Sequence, residues 1–185
     1  MPKLDDARTQ ILMSAQQLAQ SRGYAGFSFR DVANEIGIKS ASIHYHFPTK
    51  DDLMVALVDR FMDDFFGRLD AKFANNPDPK AELKEFISQF RSVLDQQNHM
   101  CLCGMMAAEI ALLGPKAQDR TRYFFDRAED WLAQRFEILG APEAQPCGVD
   151  MLARIEGALL SARARSDVSK FEVIAARLVD EIDAL

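Results

Sequence analysis

Two clusters in this 185-residue chain carry side chains able to do chemistry: His44 with His46, and His99-Met-Cys101-Leu-Cys103. Both suggest a metal or a reactive thiol, and both have the wrong spacing. Residues two apart on a helix point about 200° away from each other, so His44 and His46 cannot share one ion. A structural zinc takes four ligands. His99, Cys101 and Cys103 offer three, with no visible fourth. The same spacing separates the two thiols and makes a mutual disulfide poor geometry. Two readings of the cysteines stay open. They are small buried residues of a core helix, or Cys101 or Cys103 is a redox- or electrophile-sensing thiol favoured by a nearby helix start. Cys147, just after Pro146, has a similar place. No Ser-His-Asp order, glycine-rich phosphate loop or carboxylate pair stands out. No enzyme, metal or cofactor is expected.

The two histidines belong to GIKSASIHYHFPTKDDL, residues 37–53. Ser28 reads as a helix start with Asp31 as its capping partner. Val32, Ala33 and Ile36 form the buried face of that short helix, and Gly37 ends it. A second short helix carries Ile43 and Phe47 inward. The pair, joined through Gly37-Ile38-Lys39-Ser40, has the layout of a helix-turn-helix. Lys39, Ser40, Ser42, His44, Tyr45 and His46 are left on or near the free face. Ala41 allows close approach. Such a surface suits the major groove of DNA, where varied hydrogen-bonding groups read base edges. Pro48-Thr49-Lys50-Asp51-Asp52 predicts the start of a longer helix, with Thr49 at the N-cap and acids in the first turn.

The run FSFRDVANEIGIKSASIHYHFPTKDDL resembles the DNA-binding module of the TetR/AcrR family of bacterial transcriptional regulators, closely over residues 7–60. The resemblance rests on Phe27 and Phe29 around Ser28, on Val32-Ala33 and Gly37-Ile38, and on His46-Phe47-Pro48-Thr49-Lys50-Asp51-Asp52-Leu53. It implies a two-fold homodimer on a palindromic double-stranded DNA operator, and a C-terminal domain whose small-molecule effector loosens that grip. Carried over by position, Lys39, Ser40, Ser42, His44, Tyr45 and His46 form the recognition helix. Thr49, Lys50 and Ser28 hold phosphates at helix starts.

Charge fits one end facing a polyanion. The chain carries −6 overall, yet residues 1–50 carry +2 and the remainder −8. No apolar run reaches the ~18–20 residues that cross a bilayer, and no secretory signal opens the sequence, so a cytoplasmic protein with no membrane partner is expected.

Helical spacing recurs throughout, and about nine helices in an all-α fold are expected. A three-helix DNA-binding domain is predicted over residues 1–50, and a helical effector-binding and dimerisation domain over 51–185. A helix over 49–75 links them. Further helices are predicted from about Leu83 to Leu94, Met100 to Leu113, 116–139, 148–165 and 168–184, with a loop over 140–146. An adjustable effector pocket is expected from Met62, Phe65, Phe86, Phe90, Cys101, Met105, Phe124 and Trp131, with Glu109 on its wall. The last two helices are expected to form an isologous interface through Leu152, Ile155, Leu159, Ala162, Phe171, Ile174 and Leu178.

Overall fold

The computed structural model describes residues 4–95 and 99–185. Among them it has nine α-helices, one 3-10 turn and no strand. The helices are α1 Leu4–Arg22, α2 Phe29–Ile36, α3 Ser40–His46, α4 Lys50–Phe73, α5 Pro79–Asp95, α6 Leu102–Ala108, α7 Pro115–Ile138, α8 Ala144–Arg165 and α9 Ser169–Ala184. The helix expected over Met100–Leu113 is shorter. It stops at Ala108, and Ile110–Leu112 forms the 3-10 turn. Conversely, α8 begins at Ala144 inside the expected loop. Pro146 lies in its first turn, where no intrahelical partner awaits its missing N–H.

Residues group into two compact units that do not follow a single cut after residue 50. The N-terminal unit runs to Phe61 and adds Leu102–Tyr123. The C-terminal unit holds Met62–Cys101 and Phe124–Leu185. Helices α4 and α7 each contribute residues to both.

In the N-terminal unit Ile11, Ala15, Leu18 and Ala19 of α1, Val32 and Ala33 of α2, Ile43 of α3, and Phe47 are all buried, with α2 packed against both α1 and α3. Local signals set its breaks. Ser28 caps α2 reciprocally: its backbone N–H donates to Asp31 at 2.8 Å, and the Asp31 N–H donates back to its hydroxyl at 3.3 Å. Gly37 ends α2 in the left-handed region at φ 71°, which a glycine adopts without strain.

The C-terminal unit is built on aromatic rings. Phe65 meets Phe86 and Phe90 edge-on at 5.1 and 5.3 Å, and Trp131 stacks on Phe86 at 5.5 Å. Arg135 lies 3.7 Å over the Trp131 ring and donates to Glu82 at 2.8 Å, a largely buried pair joining α5 to α7. Helix α8 packs against α9 and α5.

Candidate functional site

Helix α3 is seated on its inward side. Ile43 and the following Phe47 are buried, while Ala41, Ser42, His44 and Tyr45 face outward. Tyr45 is 75% exposed, the most open of the large apolar or aromatic side chains among the described residues. Lys39 precedes the helix and is exposed. Ser40 and His46 are half-buried. His44 meets the Phe29 ring edge-on at 4.7 Å, so it steadies α3 against α2 as well as facing solvent. The six expected reading residues thus share one short helix and its entrance. A helix seven residues long presents few side chains at once, and here those are small, polar or aromatic.

The three expected phosphate holders have prior commitments. The Ser28 hydroxyl donates to Asp31 at 2.6 Å, and the Thr49 hydroxyl to Asp52 at 2.7 Å. These bonds hold both carboxyls below their ordinary range. Lys50 turns inward. Its ammonium donates to the carbonyls of Tyr24 and Phe27 and lies 4.2 Å over each of their rings. Burial lowers its pKa, and the charge of Glu109 works against that shift.

Glu109 lies in the N-terminal unit, apart from the aromatic cluster. Its carboxylate accepts the Tyr24 N–H, and a Cβ at Gly23 would overlap it. The start of α7 is tied to α4 in the same unit. Asp51 accepts the Ala117 N–H at 3.2 Å, Lys116 pairs with Asp52 at 3.3 Å, and Arg120 donates to Asp59 at 2.7 Å. Residues 102–123 are therefore structural members of the reading head. The apolar run around Glu109 hid this, because its partner Tyr24 is 85 positions away.

Of the expected pocket residues, Met62, Phe65, Phe86, Phe90, Cys101, Phe124 and Trp131 belong to the C-terminal unit. Met105 and Glu109 do not. The seven are all buried, and the rings among them lie in direct contact. Two buried groups of this unit stand out, His99, which the sequence reading weighed only as a metal ligand, and Glu156, which it passed over. His99 precedes α6 with its Nδ1 sealed and unpaired among the described residues. Glu156, on α8, has both carboxylate oxygens sealed in the same way, although part of its stem is exposed. The signal was present: MLARIEGALL sets one acid in an apolar run, as GMMAAEIALL does for Glu109.

The expected interface residues are largely enclosed by their own chain. Leu152, Ile155, Leu159, Ala162, Phe171 and Leu178 are buried within the single chain, and Ile174 is half-buried. Their stripe packs the chain's own core. What stays open on these helices is Val149, Ala153, Gly157 and Leu160 of α8, with Val173 and Ala176 of α9. Leu160 is 61% and Val173 55% exposed.

Among the described residues no cluster of His, Cys, Asp and Glu could hold a metal, and no helix is long and apolar enough to cross a membrane.

Residues 11–57 match the family of bacterial regulatory proteins, tetR family. Residues 79–177 match the C-terminal domain of LmrA/YxaF-like transcriptional regulators. A TetR transcriptional regulator from Legionella pneumophila has a similar structure, with TM-score 0.89 and 31% identity, covering 98% of this chain and 97% of that one. A TetR-family regulator from Agrobacterium tumefaciens also has TM-score 0.89, at 29% identity over 97% and 98% of the two chains. The HTH-type transcriptional repressor KstR2 of Rhodococcus jostii (strain RHA1) is 31% identical over 88 residues, 48% of this chain and 43% of that protein.

Proposed function

Because the chain belongs to the TetR family of bacterial transcriptional regulators, we propose that it is a cytoplasmic repressor. In this reading it binds a palindromic operator as a homodimer and is released by a small-molecule effector. The observation that carries the reading is the outward face of α3, where Ser42, His44 and the open Tyr45 sit beside Lys39 on a buried footing. Side chains of this mix enter a major groove. Basic groups meet phosphate, while hydroxyl, ring and imidazole reach base edges. Two-fold pairing then matches a two-fold operator, and half-site spacing follows the spacing of the paired heads.

The open stripe of Val149, Gly157, Leu160 and Val173 is the surface this reading assigns to pairing, in place of the buried stripe. Exposed apolar groups gain from mutual burial, and Gly157 has nothing near its Cβ position, leaving room for a partner's side chain. The effector is assigned to the C-terminal unit, whose large apolar side chains and unmet polar atoms supply what a ligand site needs. A ligand acts here only by preferring one conformation of the dimer over another. A thiol-sensing mode has less support. Cys101 and Cys103 are fully buried, out of reach of a soluble oxidant or electrophile.

Selection from a random duplex library by the full chain tests this reading. A palindrome should emerge. Tyr45→Ala or Lys39→Ala should cost about 1–3 kcal/mol at any base pair each touches and relax preference there. Selection of no sequence by wild type would remove the reading. In parallel, Leu160→Glu should sediment as a monomer, and a surviving dimer would place the interface elsewhere.

A further inference from the structure

Glu156 is an acid answered by no charge and by no donor stronger than a thiol. Both carboxylate oxygens are inaccessible, and among the described residues neither has a hydrogen-bond partner. The neighbouring group is the Cys101 thiol, a weak donor that only partly offsets burial. No charged side chain bears on it from α5 or α9, or from α7, whose backbone meets α8 at Gly148. Two other groups lie along this edge of α8. Arg163 is two turns further along the helix, and its charge acts on His99. His99 is itself depressed by burial first and by Arg163 second, so it stays neutral at physiological pH and supplies no counter-charge. Its unpaired Nδ1 adds a second unmet polar atom two residues before Cys101.

A sealed acceptor without a donor is costly to keep, and an isolated buried carboxylate more so. We propose that Glu156 is the counter-charge of a ligand site in the C-terminal unit, and that the ligand is an organic molecule bearing a primary ammonium group. The chemistry selects this class. An ammonium brings both the positive charge and the N–H donors that the carboxylate lacks. A bare metal ion would need several further oxygen, nitrogen or sulfur ligands, and no such cluster surrounds Glu156 among the described residues. An anionic ligand would face the carboxylate directly. A neutral alcohol would satisfy one oxygen and leave the charge unbalanced. Helix α8 thus places the anchor on the edge between its buried and open sides, next to the segment that leads into α6.

This inference rests on the effector reading above, and its test separates the two. Butylamine, benzylamine and 2-phenylethylamine are titrated into the full chain by calorimetry, with benzoate and benzyl alcohol as matched probes. Release of operator duplex is followed in the same samples. The amines should bind and the matched probes should not. E156Q should lose at least tenfold in affinity while melting cooperatively. Wild-type affinity should rise about tenfold from pH 6 to pH 8, as the Glu156 carboxyl, pushed up to about 7 by burial, ionises while the amines stay protonated. Binding of no amine, equal binding of benzoate or benzyl alcohol, or unchanged amine affinity in E156Q would each overturn the inference. Duplex release by benzoate or benzyl alcohol with E156Q indifferent would remove the ammonium site and leave the effector reading standing. Amine binding that depends on Glu156 yet never releases duplex would keep the site and remove the effector reading.

Discussion

The two units treat buried polarity in opposite ways. In the N-terminal unit the ammonium of Lys50 has two carbonyls and two rings around it, Glu109 has a backbone donor, and both helix starts are capped reciprocally. Every buried side-chain polar atom left unpaired among the described residues lies in the C-terminal unit: Gln89 Nε2, His99 Nδ1, Trp131 Nε1 and the two oxygens of Glu156. A reading head must present one geometry to DNA, and satisfied polar groups fix geometry. A sensor needs groups that a ligand can complete. The contrast predicts that polar deletions cost stability in one unit and cost little, or even help, in the other.

The largest effect is expected at Glu156. Its folded-state pKa lies near 7, above the ordinary 4.5 of the unfolded chain. The folded protein therefore holds the extra proton between these values, and stability falls as pH rises through that window. E156Q removes the fall. It should match wild type near pH 5 and exceed it by on the order of 3 kcal/mol at pH 8, measured by urea unfolding. A destabilised E156Q at pH 8 would break the comparison. Next comes Lys50→Ala, which strips charge-assisted bonds from two carbonyls and should cost about 2 kcal/mol. If it proves neutral and only weakens binding to all duplexes, Lys50 holds a phosphate after all. Ser28→Ala should cost about 1 kcal/mol through loss of the α2 cap. The smallest change is Trp131→Phe, which deletes an unpaired N–H in the C-terminal unit. It should stay within about 1 kcal/mol, because the lost ring area is partly repaid by removing an unmet donor.

What could be read from the sequence follows how far apart the partners lie. The caps at Ser28 and Thr49 were legible because their acids sit three residues on, and the helix-turn-helix because its buried and free positions alternate within one short segment. The inward fate of Lys50 was not, since Tyr24 and Phe27 are 26 and 23 positions away. Glu109 failed for the same reason. The last two helices differ for another reason. An apolar stripe at helical spacing states that a face is buried, and it is silent about whether the same chain or another buries it. Leu152, Ile155 and Leu159 are buried in their own core, while the neighbouring Leu160 is 61% exposed. The position of Pro146 inside α8 could have been read as a first-turn proline, but a second proline at position 142 made the segment look like a loop.

Trp131 is the only tryptophan in the chain. It is buried in the C-terminal unit, stacked on Phe86 with the Arg135 guanidinium above it. Tryptophan emission, excited beyond the absorption of the tyrosines, therefore carries the signature of one unit alone. A dry indole emits towards the blue, and a guanidinium at 3.7 Å is placed to perturb both its colour and its yield. Loosening of α5 from α7 would show as a red shift, while melting confined to α1–α3 would leave the emission dark to it. The chain thus contains a native optical probe of its C-terminal unit, readable without a label and without altering the outward face of α3.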